Sequence, residues 1–238
     1  MLANVEIPAQ YNGPPTSANG GYTCGLLARH IDGPARVRLH APPPLQRPLQ
    51  VRAGEEGSVA LFDDDTLVAT AWPTELDLAH PPAPAADLAR DAASRFAARE
   101  QHIYPQCYVC GTQRDDDGLC LHPGPVHDWQ LLACEWRPRA AQLDAQGFVR
   151  PEIVWAALDC PGYFAAVGAE RPLVLLGELS ASLLAPVPGD QPLVVYCWPL
   201  GREGRKARGA TAIADSSGRV LALSQSLWIT LKTPEAAA

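Results

Sequence analysis

Residues 39–51, LHAPPPLQRPLQV, lie without a gap on residues 183–195, LLAPVPGDQPLVV. Leu39, Ala41, Pro42, Pro44, Pro48, Leu49 and Val51 meet Leu183, Ala185, Pro186, Pro188, Pro192, Leu193 and Val195. Composition alone does not put prolines at matching turn positions, so the match reads as an internal duplication. Further out, ALFDDDTLVAT (60–70) resembles AIADSSGRVLAL (212–223), each a strand, an Asp-led turn and a second strand. Upstream of each half is an apolar helix candidate. These are GGYTCGLLARHI (20–31) and PEIVWAALDCPGYFAAV (151–167), the second with Pro at its first position.

Each half therefore reads as one strand, one helix and several antiparallel strands. The run IVWAAL carries no charge, so its helix should be enclosed rather than laid on a surface. A curled antiparallel sheet around one buried helix is the hotdog arrangement, and two copies predict an α+β double hotdog. The first unit is expected over 1–75 and the second over 129–238, with 76–128 between them. The competing reading is an ordinary two-domain α+β chain whose strands resemble each other by accident. The intervening region opens with AHPPAPAADLARDAASRFAAR (79–99), read as a connecting segment that ends in a short helix. It continues as the Cys/His-rich stretch HIYPQCYVCGTQRDDDGLCLHPGPV (102–126).

Bulk properties narrow the function classes. Hydrophobic residues at 47% suit a large core, and a net charge of −7 argues against a nucleic-acid partner. No apolar run approaches the roughly 20 residues of a membrane span. The start, MLANVEIPAQ, lacks the basic and apolar regions of a signal peptide, which predicts a cytoplasmic protein. Seven cysteines without an export signal are then expected to be thiols or ligands rather than disulfides.

The motifs around this duplication resemble the double-hotdog acyl-CoA thioesterases of the bacterial type II class. They resemble still more a set of uncharacterised actinobacterial hotdog proteins. The residues that carry the likeness are Tyr11–Tyr22, CYVCG (107–111), DGL (117–119), PGPV (123–126), VWAALDCPGY (154–163) and GREGRK (201–206). In such thioesterases a Gly-Gly pair begins the first helix and faces the thioester carbonyl. The resemblance thus implies that the Gly20 and Gly21 N–H groups polarise that carbonyl, with Asn19 capping the helix or adding a donor. Equally, the glycines would merely let the helix pack against a strand.

Asp159 interrupts an apolar helix run, where an acidic residue is seldom buried without a role or a partner. The family carries an Asp in the corresponding helix, where it helps activate water, a mechanism that requires no cofactor for catalysis. The alternative is an Asp that caps or ends the helix before Pro161. The family pattern also has a Gln and a Thr in the second half. Gln225 falls near the first, while the second falls on Glu178 or Ser180, a departure that makes these pocket candidates only. Cys160, beside Asp159, reads as a small core residue.

Within the Cys/His-rich stretch, Cys107 and Cys110 have the spacing of half a zinc knuckle. His102 with Cys120 or His122 would complete a structural zinc site, or else the cysteines pack under a loop. The triplet Asp115–Asp117 reads as a solvated turn. PLGREGRKARG (199–209) reads as a hairpin whose Arg202, Arg205 and Lys206 would hold coenzyme A phosphates, or as an ordinary polar turn. Together these features predict hydrolysis of an acyl-CoA or related acyl thioester by Asp-activated water. The alternative is a catalytically silent hotdog that binds acyl-CoA or serves as a scaffold. The expected partner is a small-molecule thioester, with no nucleic acid, no membrane span and assembly as a homodimer.

Overall fold

Alternation of buried and exposed residues builds the sheet. In β2 (Ala35–Leu39) Ala35 and Val37 are buried while Arg36 and Arg38 face outward, the pattern of a strand with one face on a core. The computed structural model describes residues 1–231. The N-half contributes β1 (Ala3–Glu6), β2, β3 (Pro48–Ala53), β4 (Val59–Asp63) and β5 (Thr66–Pro73). The C-half contributes β7 (Leu132–Trp136), β8 (Val174–Leu183), β9 (Leu193–Glu203), β10 (Lys206–Ala214) and β11 (Val220–Thr230). A two-residue edge strand, β6 (Gly124–Pro125), comes from the segment between them.

All of these strands form one 11-stranded antiparallel sheet in the order β1-β3-β4-β5-β2-β8-β11-β10-β9-β7-β6. Read outward from the centre, β2-β5-β4-β3-β1 repeats as β8-β11-β10-β9-β7. The halves join where β2 pairs with β8, from Ala35 opposite Ala181 to Arg38 opposite Glu178. The duplication is visible residue by residue. A 3-10 turn at Ala9–Tyr11, a bridge from Asn12 to Ala18 and a helix start at Gly20 recur 131 residues later as Ala140–Gln142, Leu143 to Val149 and Pro151.

The central helices differ. In the N-half, α1 (Gly20–Ala28) is buried from Gly21 to Ala28, and the Asn19 side chain caps it by accepting from Tyr22 N at 2.9 Å. The C-half has two helices, α3 (Pro151–Ala157) and α4 (Cys160–Val167), where one continuous helix was expected. Pro161 supplies the reason. It has no N–H to offer the Ala157 carbonyl, and its ring excludes that carbonyl, so the helix breaks at Leu158–Asp159. Ser224 Oγ on β11 donates to the Leu158 carbonyl at 3.2 Å, which satisfies one group freed by the break.

α1 crosses α3 through small residues. A Cβ on Gly21 would lie 2.5 Å from Asp159 Cβ and 2.6 Å from the Trp155 carbonyl, so only glycine permits this approach. The segment between the halves is more than a connector. Its helix α2 (Ala86–Ser94) buries Ala89 and Ala92, and Ala89 shares a core on the outer face of the C-half sheet with Tyr196, Trp198 and Leu223. The stretch around Cys107–Cys110 belongs to the main core, where Tyr108 packs with Tyr11 and Tyr22. Among the described residues, no helix is long and apolar enough to cross a membrane.

Candidate active site

The break between α3 and α4 aims Asp159 across the molecule rather than at its own helix. Asp159 occupies the N-cap position of α4 without capping it. Instead its Oδ2 accepts from Gly21 N at 2.9 Å and from Asn19 Nδ2 at 2.9 Å. The start of α1 therefore binds the carboxylate with a backbone donor, a side-chain amide and the positive end of its dipole. The other oxygen, Oδ1, is buried with no hydrogen-bond partner among the described residues. Asp159 is 2% exposed, and this desolvation raises its pKa to about 7 against the lowering pull of Gly21 N–H and Asn19.

A cavity of about 490 Å³ opens beside this carboxylate. Its walls are mainly apolar, including Leu39, Tyr163, Phe164, Leu176 and Trp228. Its polar lining includes Asn19, Asp159, His102 and Arg171. Gly20 also lines it and supplies the first N–H of α1, a position with no intrahelical acceptor. The close contact expected with a strand is made at Gly20, beside Leu176 and Leu39, whereas Gly21 meets the α3 backbone and Asp159 instead. Gly21 serves close packing and its N–H is committed to Asp159, which removes it as a donor to a substrate carbonyl.

Three thiols border the same cavity. Cys107 Sγ lies 3.7 Å from Cys160 Sγ, and the ligand atoms of Cys107, Cys110 and Cys160 lie within 4.8 Å of one another. The S–H groups of Cys110 and Cys160 and the N–H groups of Cys110 and Val109 pull the Cys107 thiol well below its ordinary range, against the opposing effect of burial. Asn19 Nδ2 links the cluster to the carboxylate, lying 3.8 Å from Cys160 Sγ. Cys160 belongs to the main core, as expected, and also borders the cavity.

Several expected site residues lie elsewhere. Gln225 pairs with Ser180, Ser180 with Arg36, and Glu178 with Arg38, and directly paired residues share a face. Arg36 and Arg38 are on the outer face, whereas Ser224, beside Gln225, bonds the helix backbone on the inner one. Gln225, Glu178 and Ser180 thus point away from Asp159, and none lines the cavity. Successive residues of a strand face opposite sides, so a position read one residue off falls on the wrong face.

Cys120 is also apart from the thiol cluster, its sulfur directed at the Arg114 and Asp115 carbonyls at 3.5 and 3.4 Å. His102 lines the cavity with Nδ1 accepting from Tyr104 N at 3.0 Å, while its buried Nε2 has no partner among the described residues. Burial lowers its pKa. In the acidic turn, Asp117 pairs with Arg114.

The basic hairpin has the expected form, turning at Gly204–Arg205 between Glu203 and Lys206. Arg202, Arg205 and Lys206 do not line the cavity, although Arg202 bonds Glu170 at 3.0 Å, in the segment that carries Arg171 to the rim. Arg171 had no sequence signal. Its guanidinium is positioned by donation from Nη1 to the Ala97 carbonyl at 2.8 Å.

No family model matches the sequence, and no curated protein matches it either. Solved structures do resemble the fold. A tesB protein from Mycobacterium avium subs paratuberculosis is 12% identical with a TM-score of 0.63, over 95% of this chain and 91% of that one. The acyl-CoA thioesterase II TesB2 from Mycobacterium marinum is likewise 12% identical with a TM-score of 0.63, over 98% and 96%. A hot dog fold protein of unknown function from Alicyclobacillus acidocaldarius is 14% identical with a TM-score of 0.59, over 97% and 93%. With the strand order, the residue-level duplication and this match over nearly the whole length, the protein is an α+β double hotdog.

Proposed function

We propose that the protein hydrolyses an acyl thioester, with acyl-CoA as the first candidate, in the cavity beside the α1 start. The observation that carries this reading is the Asp159 carboxylate, buried at that cavity with Oδ2 held by two donors and Oδ1 unpartnered among the described residues. A water accepted by Oδ1 would attack the thioester carbonyl, giving its proton to Asp159 as the new C–O bond forms. The C–S bond then breaks, and the departing thiolate receives the proton. Gly20 N–H would polarise the carbonyl oxygen, since Gly21 N–H is already engaged. The apolar walls suit an acyl chain, and the hairpin of Arg202, Arg205 and Lys206, with Arg171 at the rim, would attract the coenzyme A phosphates.

Binding without turnover is the second reading, and one observation favours it. The donors closest to the carboxylate, Gly21 N and Asn19 Nδ2, are both spent on Asp159, leaving Gly20 as the helix-start N–H for an oxyanion. A thiol-release assay over acyl-CoAs of increasing chain length separates the two. Release with some member supports hydrolysis. Tight binding of the panel with no release supports the silent binder.

A further inference from the structure

The structure assigns a zinc site to Cys107, Cys110 and Cys160, with the fourth coordination position opening on the cavity. Their sulfurs lie within 4.8 Å of one another, and the Cys107–Cys160 separation is 3.7 Å. Four sulfurs placed tetrahedrally about zinc at roughly 2.3 Å would be separated by about 3.8 Å, so this pair already has the spacing of two ligands on one ion. The three side chains are buried, and they come from a loop and from a helix start 53 residues farther along the chain. A simple dithiol motif needs only Cys107 and Cys110. The convergence of Cys160 makes a three-ligand set.

The loop is also shaped like a thiolate chelate. The turn from Cys107 to Gly111 is tight, with Gly111 N donating to the Cys107 carbonyl at 2.9 Å. Gly111 closes the turn, because a Cβ there would lie 2.5 Å from the Cys107 carbonyl and 2.6 Å from the Pro105 carbonyl. Thiolates from a Cys-x2-Cys turn and a third Cys from another element suit a soft divalent ion such as Zn²⁺. On the cavity side, His102 Nε2 is a buried polar atom without a partner among the described residues. A water in the fourth position would be accessible from that side. Cys120, with its sulfur on backbone carbonyls, takes no part. The site is independent of the hydrolytic reading, because it rests on the sulfur geometry and not on Asp159.

The test uses the full chain, purified under reducing conditions without chelator, and measures zinc by atomic emission. The expected result is about one zinc per chain. Replacing it with Co²⁺ should produce thiolate-to-metal charge-transfer and tetrahedral d–d absorption. Cys160→Ser should weaken zinc binding at least about tenfold, whereas Cys120→Ser should leave it unchanged. If Cys160→Ser does not fold, the cobalt spectrum of the unaltered chain still decides the matter. A reduced chain that holds no zinc and gives no cobalt spectrum would overturn the assignment. So would zinc that is lost with Cys120→Ser and retained with Cys160→Ser.

Discussion

In the N-half the central helix begins Asn19-Gly20-Gly21, and its counterpart 131 residues later begins Arg150-Pro151-Glu152. Both starts expose N–H groups and a positive dipole end that favour negative charge. The C-half start satisfies itself locally. Glu152 supplies the carboxylate and pairs with Arg150 at 3.3 Å, while Arg150 also donates to the Tyr11 hydroxyl at 3.1 Å. The N-half start has no acidic residue in its first turn and takes its negative charge from Asp159 of the other half. Duplication supplied two equivalent helix starts. One became a closed ion pair and the other a cavity wall, so the site is formed once and needs both halves.

The largest structural effect should come from filling the space that lets the halves meet. Gly21→Ala places a Cβ against Asp159 and the Trp155 carbonyl, and should destabilise by at least about 1–3 kcal/mol in urea unfolding. Gly20→Ala meets the movable ends of Leu176 and Leu39, and should cost less than about 1 kcal/mol. Equal costs would mean that α1 does not approach the α3–α4 break as described. Next in size is the closed start. Glu152→Gln leaves Arg150 without its ionic partner, but the pair is partly open to water, with side-chain exposures of 30% and 11%. About 1–2 kcal/mol is expected rather than the cost of breaking a fully buried pair, with thioester turnover unchanged. Loss of turnover would move the site toward the C-half start.

Asn19→Ala removes the cap of α1 together with one donor to Asp159. A stability loss of about 1 kcal/mol accompanied by reduced turnover is expected, because the same amide serves the fold and the carboxylate. Unchanged turnover would confine Asn19 to capping. The smallest effect belongs to the hairpin. Changing Arg205 and Lys206 together to Ala should weaken coenzyme A binding by a few-fold at low salt, and the difference should disappear as screening increases. Unchanged affinity at low salt would remove the hairpin from the phosphate site.

The sequence made the duplication legible because prolines and hydrophobic residues kept their register in β2–β3 and β8–β9. It also marked Asp159, whose charge conflicts with its apolar surroundings. Strand facing was harder to read. Gln225, Glu178 and Ser180 sit near residues that do face inward, and one step along a strand reverses the side chain. A register shift that leaves Gly177 unpaired between Glu178 and Leu176 further disturbs any count made along β8. Cys160 could not be grouped with Cys107 and Cys110 by spacing, since the helix break and the core insertion bring them together only in space. Arg171 was invisible for the same reason.

Asp159→Asn tests the central claim most directly, because it keeps the side chain's size while removing the base. It should be assayed by thiol release with an acyl-CoA that the unaltered chain hydrolyses, alongside thermal unfolding and substrate binding. A folded variant that still binds the thioester but turns it over about 10²-fold more slowly, or worse, is the predicted result. A folded Asp159→Asn protein that hydrolyses at the parent rate would contradict it.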